Sequence, residues 1–150
     1  MARVMVLHGP NLNLLGTREP EIYGAETLED VNAALTALGA ELGVEVECRQ
    51  SNDEGELVSA IQAAGKSCDY LIANLAAYTH TSIALMDAIK AVAIPTIEVH
   101  ISNTHAREEY RHKSYIAPVV EGRIEGLGTH GYLLALRHAA RKIAAKGGKR

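Results

Sequence analysis

The chain has 150 residues, 47% of them hydrophobic and 22% charged, with no Phe and no Trp. Such a composition suits one globular domain with an aliphatic core and argues against disorder. The formal net charge is −3 and basic residues mass only in the tail Lys146–Arg150, so neither nucleic acid nor a membrane is an expected partner.

Cys48 and Cys68 stand alone, without a CxxC pair, and are expected as reduced thiols. The first residues, MARVMVL, read as a strand and lack signal-peptide architecture, so a cytoplasmic location is expected. Residues 1–150 are expected to form a single catalytic domain, with 146–150 a frayed tail.

Val4–Leu7 is an apolar run that ends at His8-Gly9-Pro10, the mark of a buried strand. The loop that follows runs to Gly24 and far exceeds the usual 2–6 residues between strand and helix. Loops of that length tend to be lids or binding loops, so Arg18 and Tyr23 are placed on a mobile lid. Thr27 and Asp30 have the spacing of a capping box, and Leu28, Val31, Leu35, Leu38 and Leu42 then recur at helical spacing. Val44–Cys48 alternates as a strand near a sheet edge. Ser51 and Glu54 suggest a second capping box, before a helix with Leu57, Ile61 and Ala64 on one face. Tyr70–Ala73 reads as a central strand and Thr79–Val92 as a helix. Pro95–Val99 reads as a strand with Pro at its first residue. Ala106–His112 is expected as a short charged helix and Val119–Leu127 as a weaker strand. Thr129 is placed as the cap of a last helix that carries Leu133, Leu136, Ala140 and Ile143.

Strict β-α alternation argues for an α/β fold with helices on both faces of a parallel sheet. With five strands the expected form is a flavodoxin-like three-layer sandwich of order 2-1-3-4-5, which binds ligands beyond the carboxyl ends of its strands. Asn11, Arg18 and Tyr23 follow strand 1, and Asn52 and Asp53 follow strand 2. Asn74 and His80 follow strand 3. His100, Ser102 and Asn103 follow strand 4. Strand 1 is followed by no GxGxxG, and the chain has no P-loop, GxSxG or HExxH. His80, His100 and His105 lack ligand-like spacing for a metal.

Acid–base chemistry on a small polar molecule remains. Glu98 and His100 lie two apart on a strand, hence on one face, where Glu98 either orients the imidazole or is a surface charge. Tyr23 is either a base held ionised by Arg18 and Arg107 or a ring anchoring the loop. His80 and Asp87 are seven apart, on one face of the expected helix, and Asp87 could equally be a solvated charge. Arg111 could meet a substrate carboxylate or Glu108 one turn back.

The segments LHGPNLNLLGTREPEIYG, QSNDEGELV, NLAAYTHTSIALMDAI, PTIEVHISNTHAREEYRHKSY and GLGTHGYLLAL together resemble the type II 3-dehydroquinate dehydratases, from Val4 to about Arg137. The resemblance implies a lyase that dehydrates 3-dehydroquinate to 3-dehydroshikimate by anti elimination, through an enolate, with neither cofactor nor metal. It implies a homododecamer, a tetramer of trimers, and the third step of the shikimate pathway. Tyr23 would be the proton acceptor, with Arg18 and Arg107 lowering its pKa and Arg18 stabilising the transition state. Asn11 would hold the water that stabilises the enolate, and His100 would be the proton donor, partnered by Glu98. Asn74, His80, Ile101, Ser102 and Arg111 would bind substrate, Ile101 and Ser102 chiefly through backbone N–H groups. Asp87 would reach a neighbouring subunit's site. Leu75, Met86 and Tyr110 stand where the family often has Pro, Gly or Ala, then Arg, then Phe. None of these departures removes a catalytic group.

Overall fold

The structure is a computed structural model, and residues 1–17, 21 and 25–147 are described below. Strands β1 (Ala2–His8), β2 (Val44–Gln50), β3 (Tyr70–Asn74), β4 (Thr96–His100) and β5 (Gly122–Glu125) form one sheet of order β2-β1-β3-β4-β5, every pairing parallel. This is the flavodoxin-like order expected from the alternation. The alternation of β1 divides the core. Val4 and Val6 pack with Val31, Leu35 and Leu38 of α1 (Leu28–Leu42) and with Tyr132, Ala135 and Leu136 of α4 (His130–Gly147). Met5 and Leu7 face the other way, onto Leu57 and Ile61 of α2 (Glu54–Ser67) and Leu85 and Ile89 of α3 (Ile83–Val92). Each of these leucines and isoleucines removes roughly 1.5–3 kcal/mol of apolar surface cost from water.

Several boundaries differ from the sequence reading, each for a local reason. The capping box at Thr27 and Asp30 forms as expected, and α1 ends on Gly43 in the left-handed region. Ser51 does not cap α2. Its hydroxyl accepts from the Asp53 N–H and donates to Glu56, and Asp53 takes the cap by accepting from the Glu56 N–H. The expected helix from Thr79 is two pieces, a 3-10 turn Ala76–His80 and α3, whose cap is Ser82. The charged stretch Ala106–His112 is likewise two 3-10 turns, Thr104–Ala106 and Glu109–Arg111. The Thr129 hydroxyl, next to the start of α4, donates to Glu26. Lys146 and Gly147, expected in a frayed tail, close α4, and 148–150 lie outside the described residues. Cys48 and Cys68 are free thiols, and burial pushes Cys48 up to about 11. Among the described residues no helix is long and apolar enough to cross a membrane.

Candidate active site

The order of the sheet reverses between β1 and β3, where the crossovers leave in opposite directions and open a crevice. The two chains separate there at very close range. The Gly9 N–H donates to the Asn74 carbonyl at 2.7 Å, and a Cβ on Gly9 would lie 2.4 Å from the Leu75 oxygen. Just beyond, Asn11 turns through φ 69, a left-handed conformation that Asn tolerates better than most side chains. Its N–H is held by Asn52 Oδ1 at 2.9 Å, while the Asn52 carbonyl accepts from the Tyr78 hydroxyl at 2.8 Å.

A cavity of about 210 Å³ opens at this point, lined from three strand ends and the turns after them. Asn11, Asn74, His80, His100, Ile101, Ser102, Arg107 and Arg111 all line it. Eight of the expected site residues therefore meet, though they come from three separated segments, while Asn52 and Asp53 after β2 do not line the cavity. Among the described residues no lining residue is acidic and two lining residues are arginines, so an anion is favoured over a neutral sugar. Arg111 also pairs with Glu108, Nε to Oε2 at 2.8 Å, so both of its expected partners are compatible. Arg107 reaches Ser102 Oγ from Nη1 at 3.5 Å.

The hydrogen bonds determine what each group offers a ligand. Asn74 Nδ2 donates to the Tyr132 hydroxyl at 2.8 Å and its Oδ1 accepts from the Ala76 N–H at 3.2 Å, which leaves one amide hydrogen for the cavity. Among the described residues the N–H groups of Ile101 and Ser102 have no acceptor. Three donors thus stand together, the set a carboxylate needs. His80 Nδ1 lies 2.8 Å from the Lys113 carbonyl, which can only accept, so Nδ1 carries the hydrogen and Nε2 is left as an acceptor for a ligand hydroxyl. Burial, and then the neighbouring His100 and Arg111, hold the His80 imidazole below its ordinary range. Its ring stacks on that of His100, the centroids 6.3 Å apart.

Behind the cavity the Glu98–His100 pair forms as the strand periodicity requires. Glu98 is fully buried, and its Oε2 meets His100 Nε2 at 2.5 Å and Ser114 Oγ at 2.8 Å. With Nε2 committed to Glu98, Nδ1 is the His100 nitrogen left for proton exchange with a ligand. Asp87 is exposed on α3 and does not line the cavity of its own chain, because Ser82 starts a new helix after His80. Arg18 and Tyr23 lie outside the described residues.

Other contributors carry no role in the sequence expectations. Tyr132 is fully buried on α4 and links Asn74 to His8 Nδ1 at 3.0 Å, and His8 Nε2 reaches Asn32 Oδ1 at 2.8 Å. Gly126-Leu127-Gly128-Thr129-His130-Gly131 spells GxGxxG at the start of α4. Its glycine N–H groups are engaged within the protein and not offered to a phosphate. The Gly126 N–H donates to the His100 carbonyl and the Gly128 N–H to that of Ile101, with φ +85 and +64. The glycine turn therefore supports the backbone that presents His100 and the Ile101 donor.

Comparison with known proteins gives a consistent family. The profile described as Dehydroquinase class II matches residues 2–140. A 3-dehydroquinate dehydratase of Geotalea daltonii is 60% identical over 135 residues, covering 90% of this chain and 94% of its own. That of Pelotomaculum thermopropionicum is 57% identical over 138 residues, covering 92% of this chain and 96% of its own. The crystal structure of type II dehydroquinase from Propionibacterium acnes superposes with a TM-score of 0.91 at 45% identity, over 94% of this chain and 97% of that one.

Proposed function

The chain belongs to the class II dehydroquinase family, and from that premise we propose that it is a hydro-lyase converting 3-dehydroquinate to 3-dehydroshikimate. It would serve the third step of the shikimate pathway in the cytoplasm. The observation that carries the reading is the convergence of three anion-facing donors, on Asn74, Ile101 and Ser102, beside a histidine locked to a buried carboxylate.

Elimination next to a ketone needs a base for the C2 proton, a place for enolate charge and an acid for the departing C1 hydroxyl. Tyr23 is proposed as the base. A tyrosine titrates near about 10, so a phenolate at neutral pH needs roughly 4 kcal/mol of help from cations. Arg18 and Arg107 are proposed to supply it in a dry, closed site. The substrate carboxylate takes the Asn74, Ile101 and Ser102 donors, a ring hydroxyl donates to His80 Nε2, and Arg111 adds positive charge. Asn11 holds a water against the enolate oxygen. His100 gives its Nδ1 proton to the C1 hydroxyl, which leaves as water, and keeps the Nε2 hydrogen on Glu98. Tyr23 ends protonated and His100 neutral, and transfer of one proton through solvent restores both.

His100→Ala and Tyr23→Phe should each lower kcat by about 100-fold or more while substrate still binds. Full turnover by either variant contradicts its assigned role. Arg18→Ala should depress kcat far more than affinity, and an unchanged kcat removes it from the mechanism. We further propose assembly as a dodecamer built from trimers, in which Asp87 reaches a neighbouring site. Sedimentation should then report about twelve times the 16.1 kDa chain, and a monomer mass contradicts the assembly.

A further inference from the structure

Glu98 presents a problem that its two hydrogen bonds do not solve. It is fully buried, and a carboxylate without a counter-charge is costly there. Ser114 is neutral, and His100 must give up its proton during the reaction. The lasting positive charge comes from β5. Arg123 sits directly across from Glu98 in the parallel register of β4 and β5, so the two side chains share a face of the sheet. Its Nε lies 3.2 Å from Glu98 Oε1, on the carboxylate oxygen that neither His100 nor Ser114 uses. The contact is an ion pair and not an aligned hydrogen bond, since Glu98 Oε1 and Arg123 Nε and Nη2 are all buried without one.

The guanidinium is itself held in place. Its Nη2 lies 2.9 Å from Glu125 Oε2, two residues along the same strand. The other oxygen of Glu125 accepts from the Thr104 N–H and hydroxyl, at 3.2 and 3.0 Å. A row of alternating charge therefore runs from His100 through Glu98 and Arg123 to Glu125. Arg123 does not line the cavity.

We propose that Arg123 is a positioning residue for the acid His100, acting through Glu98. Its charge keeps Glu98 an acceptor for the Nε2 hydrogen of His100 throughout the proton transfer, and Glu125 holds the guanidinium at that oxygen. Truncation to Met keeps the length of the stem and removes the charge. Lys restores the charge without the fork.

The kinetic half of this rests on the proposed dehydratase reading, so the test has a readout that does not. NMR of protein labelled with 15N in histidine should show, in the parent chain, a strongly downfield Nε2 hydrogen on His100. Arg123→Met should lose that signal and Arg123→Lys should keep it. With 3-dehydroquinate, Arg123→Met should lower kcat by about tenfold or more with KM nearly unchanged. Arg123→Lys should recover most of kcat. Should Arg123→Met fail to fold, Glu125→Gln loosens the same guanidinium, and a weakened downfield signal is expected. An unchanged signal in Arg123→Met, or in Glu125→Gln if the first is unfolded, overturns the proposal. So does a loss confined to KM. An inactive parent chain with the signal pattern intact would instead overturn the dehydratase reading and leave the role of Arg123 standing.

Discussion

Asn32, His8, Tyr132 and Asn74 form a chain whose donors can be assigned one by one. Asn32 Oδ1 can only accept, so His8 Nε2 carries the hydrogen and Nδ1 accepts from Tyr132. Asn74 must then donate to the Tyr132 oxygen, which fixes which end of its amide turns toward the cavity. Burial, partly offset by Asn32, lowers the His8 pKa from 6.5 to about 4. Between those values the unfolded chain binds a proton that the folded chain refuses, so stability is lost as pH falls through that window. The loss amounts to about 3 kcal/mol by pH 4. Unfolding midpoints measured against pH should drop across the window, and His8→Gln should flatten that part of the curve. An equal drop in the variant assigns the effect to other groups. Some of this scale was legible: Glu98 and His100 follow from the period of two on a strand. Arg123 was not, because its relation to Glu98 exists only once β4 and β5 are set in register. Tyr132 was hidden for a similar reason, since the face expected for the last helix ran through Leu133, Leu136, Ala140 and Ile143 and did not include it.

The elements locate the site through their ends. Gly9 has no room for a side chain against the Leu75 backbone, and that approach sets the mouth of the crevice between β1 and β3. Gly9→Ala should cost about 1–3 kcal/mol in stability and should also lower activity, because the strand ends must move apart. A variant as stable and active as the parent chain would show that the approach is not required. Asp53→Ala should cost only about 1 kcal/mol, the worth of one helix cap, and should leave kcat unchanged. Chemical denaturation of both variants measures the contrast. Misplaced boundaries in the sequence reading share one cause. Short polar side chains had several backbone N–H groups within reach, and tertiary packing chose among them. Asp53 took the cap from Ser51, and Ser82 began a helix where continuous periodicity had been read through His80 and Asp87.

For the whole molecule, strict β-α alternation pointed to a parallel sheet, and the usual order of five such strands, with the alternating β2 at an edge, matches the one observed. Aliphatic periodicity likewise identified the faces of the helices that cover it. Composition could not show the sign of the field in the crevice. The chain is acidic overall, at −3, yet among the described residues the cavity is lined by two arginines and two histidines and no carboxylate. The folded topology produces that inversion by gathering both arginines from the turns after β4. Such a site calls for an anionic substrate and a reaction completed by side chains at one rim. Purified protein mixed with 3-dehydroquinate, without added metal or reductant, tests this most directly through the absorbance of the conjugated enone. A steady rise to equilibrium is the predicted result. A flat trace from folded protein would contradict the assignment.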